Sequence, residues 1–316
     1  MKIVFLGSGA FGLPTLRHLA REHEVVSVVT QPDKPAGRGG ELTPTPIAQW
    51  AAANLAVPVV KPEKVNDPAV VDDIRARRAE AWVVIAFGQK LGRRLLDGVF
   101  AVNLHASLLP RWRGAAPINA AILAGDTVTG NSVITLADRM DAGEVLGQSR
   151  RAIDPMDTAG ELHDLLAADG PVLVERVLGD FSRGTLVRTI QDESQVTIAP
   201  KLSKADGWVD FADTAEMARR RVHGLTPWPG VTVRFRSQPV KLIRVAVEEG
   251  AAGLNEKWGA VVDVEQGLVA CRGSVLRVLE VHPAGKRPMP WSDFARGQRI
   301  QTGEQLVGGK SEGMGG

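Results

Sequence analysis

The chain opens MKIVFLGSGAFG, so that four apolar residues, Ile3 to Leu6, run without polar interruption into a glycine turn. An apolar run that lacks alternation reads as a strand covered on both faces, as in a parallel sheet. The same signal returns at Val25 to Thr30, Trp82 to Ala86 and Val102 to Leu104, separated by LPTLRHLAREH, TPIAQWAAAN and PAVVDDIRARR, which carry helix-forming residues with apolar spacing. Strand and helix in repeated succession constrain a chain strongly, because right-handed crossovers place the helices on both faces of one sheet. The expected fold for residues 1–184 is therefore α/β, a Rossmann-like, doubly wound parallel sheet. Asn131 to Leu136 and Val145 to Ile153 are expected to pair around a turn at Asp141. Thr158 with Glu161 has capping-box spacing and opens a helix reaching Arg183.

Beyond that point the period changes. Residues 185–203 lack amphipathic rhythm beyond a short strand at Leu186 to Ile190, and read as a linker. Asp213 with Glu216 offers a helix start for AEMARRRVHGL, which Gly224 and Pro227 stop. VTVRF, VKLIRVAV, GAVVDV, LVACRG and VLRVLEV then follow as short strands parted by glycine or charged turns, the spacing of a small OB-like β-barrel over residues 204–307. Residues 308–316, rich in glycine, are expected to be a flexible tail.

A chain of 316 residues has enough length for two cores. With one cysteine, Cys271, neither an internal disulfide nor a thiolate metal cage can form, which favours a reducing compartment. Cys271 itself lies in an apolar run and is expected to be a packed thiol. The first residues read as a core strand, so no targeting peptide is expected; no apolar run approaches the roughly 20 residues of a membrane span, and a cytoplasmic location follows. The formal charge is +2 over the whole chain. From Lys201 onward there are 17 Lys and Arg against 13 Asp and Glu, a net of +4 that leaves −2 for the earlier residues. A basic second half is compatible with RNA and equally with an ordinary solvated surface.

The chemistry concentrates in AVNLHASLLPRWRGAAP, residues 101–117, and in RMDAGEV around Asp141. Asn103 and His105, two apart on a strand, share one face. An amide donor beside an imidazole suits a reaction in which an oxygen gains negative charge and a proton moves, and a carboxylate at Asp141 would orient the imidazole and favour its charged form. Such a trio also occurs as strand-end hydrogen bonders without chemistry; the ordered, cationic loop of Pro110, Arg111, Trp112, Arg113, Gly114 and Pro117 beside it favours a site.

Asn103-Leu104-His105, Ser107-Leu108-Leu109-Pro110 and Asp141-Ala142-Gly143 resemble the signature of the folate-dependent formyltransferases. QPDKPAGRG at Gln31 to Gly39, SLLPRWRGAAPI and HPAGK at His282 to Lys286 resemble the tRNA-directed branch of that family. The likeness runs from Met1 to about Leu306. It implies transfer of a formyl group from 10-formyltetrahydrofolate to the α-amino group of methionine on initiator tRNA. It also implies Asn103, His105 and Asp141 as catalytic residues. Folate would lie against residues 85–89 and 107–110, with Phe87, Gly88, Ser107, Leu108, Leu109 and Pro110 forming its site and Phe87 and Leu108 as apolar walls. Phe87 stands where the family often has tyrosine, in a chain with no tyrosine at all. The long loop 31–46 would meet the tRNA acceptor end through Lys34 and Arg38, joined by Arg111 and Arg113 and by the second-half cations Arg219 to Arg221, Lys286 and Arg287. No metal is implied, since His18, His23, His163, His223 and His282 make no ligand-spaced cluster. A monomer is expected.

Gly7, Gly9 and Gly12 also spell GxGxxG, with Asp33 about 20 residues on, the outline of a dinucleotide site. Asp33 stands beyond the strand end and beside Pro32 and Pro35, which weighs against a ribose-binding carboxylate, and NAD is not expected. The remaining alternatives are a formyltransferase for a small amine such as an amino sugar nucleotide, an NAD-dependent oxidoreductase, and a non-enzymatic RNA-binding module.

Overall fold

A computed structural model describes residues 1–36, 40–248 and 256–309. Seven strands build the first sheet: β1 (Lys2–Gly7), β2 (Glu24–Val29), β3 (Val59–Val60), β4 (Ala81–Ile85), β5 (Phe100–His105), β6 (Val128–Thr135) and β7 (Val145–Ala152). Their spatial order is β7-β6-β5-β4-β1-β2-β3. β1 pairs in parallel with β2 and with β4, β4 with β5, and β2 with β3, whereas β6 runs antiparallel to β5. The chain steps outward from β1 in one direction and later returns to add β4 on its other side. That reversal of winding opens a crevice at the carboxyl ends of β1 and β4, the usual place for a site in such sheets.

Apolar continuity in the sequence matches this burial. Ile3, Val4, Phe5 and Leu6 are wholly buried, as are Val83 and Ile85 beside them. The helices Leu13–Glu22, Pro46–Asn54 and Pro68–Ala76 bury Leu16, Leu19, Ile47, Val71 and Ile74. Thr45 and Asp67 cap the latter two helices, each with a proline in its first turn, as fixed φ and a missing N–H allow. The expected capping box is present: Thr158 donates its backbone N–H to Glu161 at 2.9 Å, and the Glu161 N–H returns to Thr158 Oγ1 at 3.3 Å. It opens the helix Ala159–Arg183.

The glycine fingerprint has a packing cause. A Cβ on Gly7 would lie 2.6 Å from Phe5 Cε1 and 2.8 Å from the Ile85 carbonyl oxygen, and one on Gly12 would lie 3.1 Å from the Phe5 ring. The turn is therefore pressed against the end of β4. Asp33 forms an ion pair with Lys61 at 2.7 Å, so its carboxylate already has a cationic partner.

By packing, the chain forms two units: residues 1–113, 130–151 and 163–197 make the first, and 114–129, 152–162 and 198–316 the second. This differs from the linear division expected at residue 184. The stretch foreseen as a linker starts inside the first unit: Thr189 and Val145 exchange backbone hydrogen bonds at 2.8 and 2.9 Å. The anticipated strand at 186–190 reduces to that one bridge. In the second unit, the loop before the helix is drawn in because His223 Nδ1 donates to the Pro155 carbonyl and Arg244 donates to the Met156 carbonyl and to Glu161.

The second unit holds an antiparallel sheet built from Val231–Phe235, Gln238–Glu248, Val261–Asp263, Leu268–Cys271, Ser274–Pro283 and Leu306–Val307. Residues 303–306 bond at once to the 259–261 edge and to the Phe235 edge. Bonding both edges curls the sheet, and barrels form by closing a sheet on itself. The helix Ala215–Leu225 is the expected segment, but Thr214 rather than Asp213 caps it. Its apolar face joins the core with Val222, Val233, Leu242 and Val278. Cys271 is buried in that core, and burial pushes its thiol up to about 12. The tail from residue 310 lies outside the described residues.

Candidate active site

Strand β5 ends at the carboxyl edge of the sheet and delivers Asn103 and His105 to one face, as their spacing dictates. His105 is buried, whereas Asn103 is partly exposed. Around His105 two loops converge. Nε2 of the imidazole lies 2.8 Å from the Trp112 carbonyl oxygen, and Nδ1 lies 3.6 Å from Asp141 Oδ2. A carbonyl only accepts, so Nε2 donates to it, and Nδ1 is the nitrogen that faces the Asp141 carboxylate. Both flanking residues hold left-handed backbone, with φ +62° at Trp112 and +52° at Asp141. Such conformations cost about 1–3 kcal/mol for residues other than glycine and persist where the surroundings enforce them, often at sites.

The enforcing contacts are visible. Trp112 donates its N–H to Thr197 Oγ1 at 2.9 Å, and Arg113 donates its N–H to the Thr197 carbonyl at 2.9 Å. Arg113 is 3% exposed, with Nε donating to Gln191 Oε1 at 2.9 Å and Nη2 to Glu193 at 2.9 Å. Gln191 in turn donates to the carbonyls of Asp141 and Gly143, each at 2.7 Å. Arg139 shares Glu193 at 2.9 Å, and these two cations hold the Glu193 carboxyl below its usual range.

Arg113 therefore requires a correction. Expected to meet tRNA, it is instead an internal strut, since its guanidinium is buried and satisfied by partners of this chain. Arg111 is exposed and stacks on the Trp112 ring at 4.9 Å. Lys34 is exposed on the short ribbon of Lys34–Ala36 with Glu41–Thr43. Arg38 lies outside the described residues. Of the second-half cations, Arg219 and Arg220 pair with Glu216 and Arg221 covers Trp208 at 3.7 Å, while Lys286 and Arg287 are exposed.

The segments foreseen for folate divide in the same way. Phe87 is 2% exposed and belongs to the same buried core as Val4, Leu6, Val84 and Leu91. It is core, which removes it as an apolar wall, and the hydroxyl of a tyrosine there would need a buried partner. Its carbonyl accepts from Ser8 Oγ at 3.1 Å and Gln31 Nε2 at 3.0 Å. On either side, Ala86 and Gly88 are exposed with left-handed backbone, φ +49° and +83°. In the second segment Ser107 is wholly buried and donates to the Arg111 carbonyl, while Ser132 Oγ accepts from the Leu109 N–H and donates to the Ser107 carbonyl. Gln148 donates to Ser132 Oγ and to the Leu109 carbonyl. Leu109 is buried, whereas Leu108 and Pro110 are partly exposed. Leu108 and Pro110, with the Ala86 and Gly88 backbone, are the members able to touch a ligand; Ser107 and Leu109 shape the loop.

Ser132, Gln148 and Gln191 escaped the reading of the sequence. Ser132 could be found only by knowing that β6 sets it opposite His105, and Gln191 only by knowing that the connector doubles back. Among the described residues, the Asn103 side-chain amide makes no hydrogen bond within the chain, and no cluster of three or more His, Cys, Asp or Glu stands where it could hold a metal. A hollow of about 460 Å³ lined by Arg17, Arg21, Trp50 and Asn54 lies on two helices and includes none of these residues. No helix among the described residues is long and apolar enough to cross a membrane.

Comparison with known proteins bears on both units. The family model described as formyl transferase matches residues 1–178, and that described as formyl transferase, C-terminal domain, matches residues 201–299. The chain is 39% identical over 310 residues to a methionyl-tRNA formyltransferase of Geotalea daltonii, covering 97% of this chain and 98% of the relative. It is 40% identical over 311 residues to one of Bradyrhizobium sp. (strain BTAi1), covering 96% and 98%. Among solved structures, HypX from Aquifex aeolicus in complex with tetrahydrofolic acid superposes with a TM-score of 0.62 at 18% identity, over 93% of this chain and 47% of that one, so this chain spans about half its length. WlaRD, a sugar 3N-formyl transferase, superposes at 0.66 with 14% identity, over 90% and 98%. At such identities these superpositions establish the fold.

Proposed function

The chain belongs to the formyl transferase family, and from that premise we propose that it moves the formyl group of 10-formyltetrahydrofolate to the α-amino group of methionyl initiator tRNA, for translation initiation. The observation that carries this reading is identity of 39–40% over nearly the full length of relatives named for that reaction. It works as a monomer in the cytoplasm, with Lys34, Arg38 and Arg111 meeting the acceptor end.

Asn103, His105 and Asp141 are the residues we assign to chemistry. The incoming amine has an ordinary pKa of about 7.7–8.0, so much of it is neutral near pH 7 and needs no strong base. What the site must supply is a home for negative charge on the formyl oxygen. Asn103 suits this task because its amide is uncommitted among the described residues. His105 donates through Nδ1, its Nε2 being held by Trp112, and Asp141 stabilises the imidazolium that this requires. The same Nδ1 gives its proton to the leaving nitrogen, and the neutral ring then takes the proton that the newly bonded amine sheds. Asp141 thus orients the ring.

The residues fit a folate. Exposed backbone at Ala86 and Gly88 offers peptide groups to the edge of a flat heterocycle, and partly exposed Leu108 offers apolar contact. Bound there, the folate would supply an activated formyl carbon; binding, orientation and proton movement fall to groups of this chain.

The deciding experiment incubates the protein with 10-formyltetrahydrofolate and either methionyl initiator tRNA or an amino sugar nucleotide. Formylmethionine on the tRNA is expected. Formylation of the sugar alone would replace the tRNA assignment with the small-amine reading, and formylation of neither would remove both.

A further inference from the structure

A closed ring of contacts surrounds His105. It runs from Nε2 to the Trp112 carbonyl at 2.8 Å, then along the chain to Arg113, whose Nε donates to Gln191 Oε1 at 2.9 Å. Gln191 Nε2 donates to the Asp141 carbonyl at 2.7 Å, and Asp141 Oδ2 returns to His105 Nδ1 at 3.6 Å. We propose that Gln191 is a positioning residue which, backed by Arg113, fixes the distance between the Asp141 carboxylate and the His105 imidazole. The proposal rests on the reading of His105 and Asp141 as reacting groups.

The chemistry of the position demands an amide. Arg113 Nε is a donor and needs an acceptor; the carbonyls of Asp141 and Gly143 are acceptors and need two donors. A glutamine side chain meets all three at once, and these partners settle which end is oxygen and which is nitrogen. Glutamate would set an oxygen against two carbonyl oxygens, and methionine, of similar length, would offer none of these three groups a hydrogen bond. Gln191 is 7% exposed and Arg113 is 3% exposed, so water does not stand in easily.

The turn that Gln191 grips also needs an outside hold. Asp141 is left-handed, and Gly143 is so close to β6 that a Cβ would fall 1.7 Å from the Thr135 carbonyl oxygen. One side of the turn is thus pressed to the sheet while Gln191 holds the carbonyls. Glu193, two residues on, ties Arg113 to Arg139 of the same turn. The short connector 191–193 therefore spans the loop that holds Nε2 and the turn that faces Nδ1.

The test is a double-mutant cycle in single-turnover formylation with the full chain. Gln191→Met should lower the rate about 10- to 100-fold, the scale of a misplacement near 1 Å, with KM for both substrates within threefold of the parent. In the Asp141→Asn background the same change should alter the rate less than twofold, since the group it positions is already disabled. A rate within twofold of the parent, or an equal loss in both backgrounds, overturns the proposal. Should Gln191→Met fail to fold, Arg113→Lys, which keeps charge but lacks the Nε donor, is read in the same cycle with the same criteria. The His105 ring resonances, assigned with His105→Asn, give an activity-free readout: they should move in the positioning variant. If the parent formylates no tRNA, the proposed function fails, whereas unmoved ring resonances defeat the positioning role alone.

Discussion

His223 offers a measurable consequence of burial. It is wholly buried in the second unit, with Nδ1 donating to the Pro155 carbonyl at 3.0 Å and Nε2 accepting from the Val245 N–H at 3.1 Å. Both nitrogens are satisfied only in the neutral ring, because a proton on Nε2 would face the Val245 N–H. Burial pushes its pKa down to about 4 from 6.5, with Arg219 and Arg244 acting in the same direction and the Pro155 hydrogen bond and Glu161 opposing. Above pH 6.5 the folded and unfolded chains both carry it neutral, and it adds no slope. Between 6.5 and 4 the unfolded chain binds a proton that the folded chain refuses, so stability falls as pH falls. At about 1.4 kcal/mol for each pKa unit, the loss reaches about 2 kcal/mol by pH 5 and about 3 kcal/mol in full. Chemical denaturation at pH 7.5, 6 and 5 checks this, comparing the parent with His223→Gln. The variant should be less stable at neutral pH yet lose about 2 kcal/mol less on acidification to pH 5. Parallel pH slopes for the two proteins would refute the reasoning.

Other outcomes follow from the same contacts. Asn103→Ala should cost about 10² to 10³ in rate and His105→Ala about 10² to 10⁴, as for an oxyanion donor and an acid–base group, with thermal midpoints near the parent's; full turnover in either removes that residue from the mechanism. Arg111→Ala should weaken tRNA binding and flatten its salt dependence by roughly 0.7–0.9 in the log–log slope, whereas Arg113→Ala should instead lower the unfolding midpoint, because it removes the donor to Gln191 Oε1 and empties a buried site. Gly7→Ala should destabilise by about 1–3 kcal/mol, since the added Cβ meets the Ile85 carbonyl, which cannot swing away; an unchanged denaturation curve would return the glycine turn to a ligand-binding role. Cys271 should stay unreactive to thiol reagents at pH 8, burial having pushed it up to about 12.

Much of this protein was legible because its signals are local. A run such as Ile3 to Leu6 reports its own burial, Thr158 and Glu161 reveal a helix start through their spacing alone, and the alternation of Val231, Val233 and Phe235 marks one wet and one dry face. Asn103 and His105 were placed together by the period of a strand, and the family phrases around them reached Asp141.

Errors arose wherever a residue's role depended on partners far along the chain. Arg113 and Arg111 sit two apart in one basic phrase, yet one is buried and the other exposed, because Gln191, Glu193 and Thr197 fold back onto Arg113. Phe87 lies in a segment rightly taken to reach the sheet edge, but its ring turns into the core while Ala86 and Gly88 face outward. Gln191 sat in a stretch without period, and nothing in a lone glutamine announces two carbonyls 48 and 50 residues away.

Sequence alone determined the main strands and helices, the order of the two architectures and the strand that carries Asn103 and His105, since periodicity and turn chemistry act over a few residues. Tertiary structure decided which cations are struts and which remain exposed, which imidazole nitrogen faces Asp141, and what grips the turn that carries Asp141. Those are matters of burial and of donor–acceptor matching between distant segments, and a buried polar group is defined by whatever the fold brings to it.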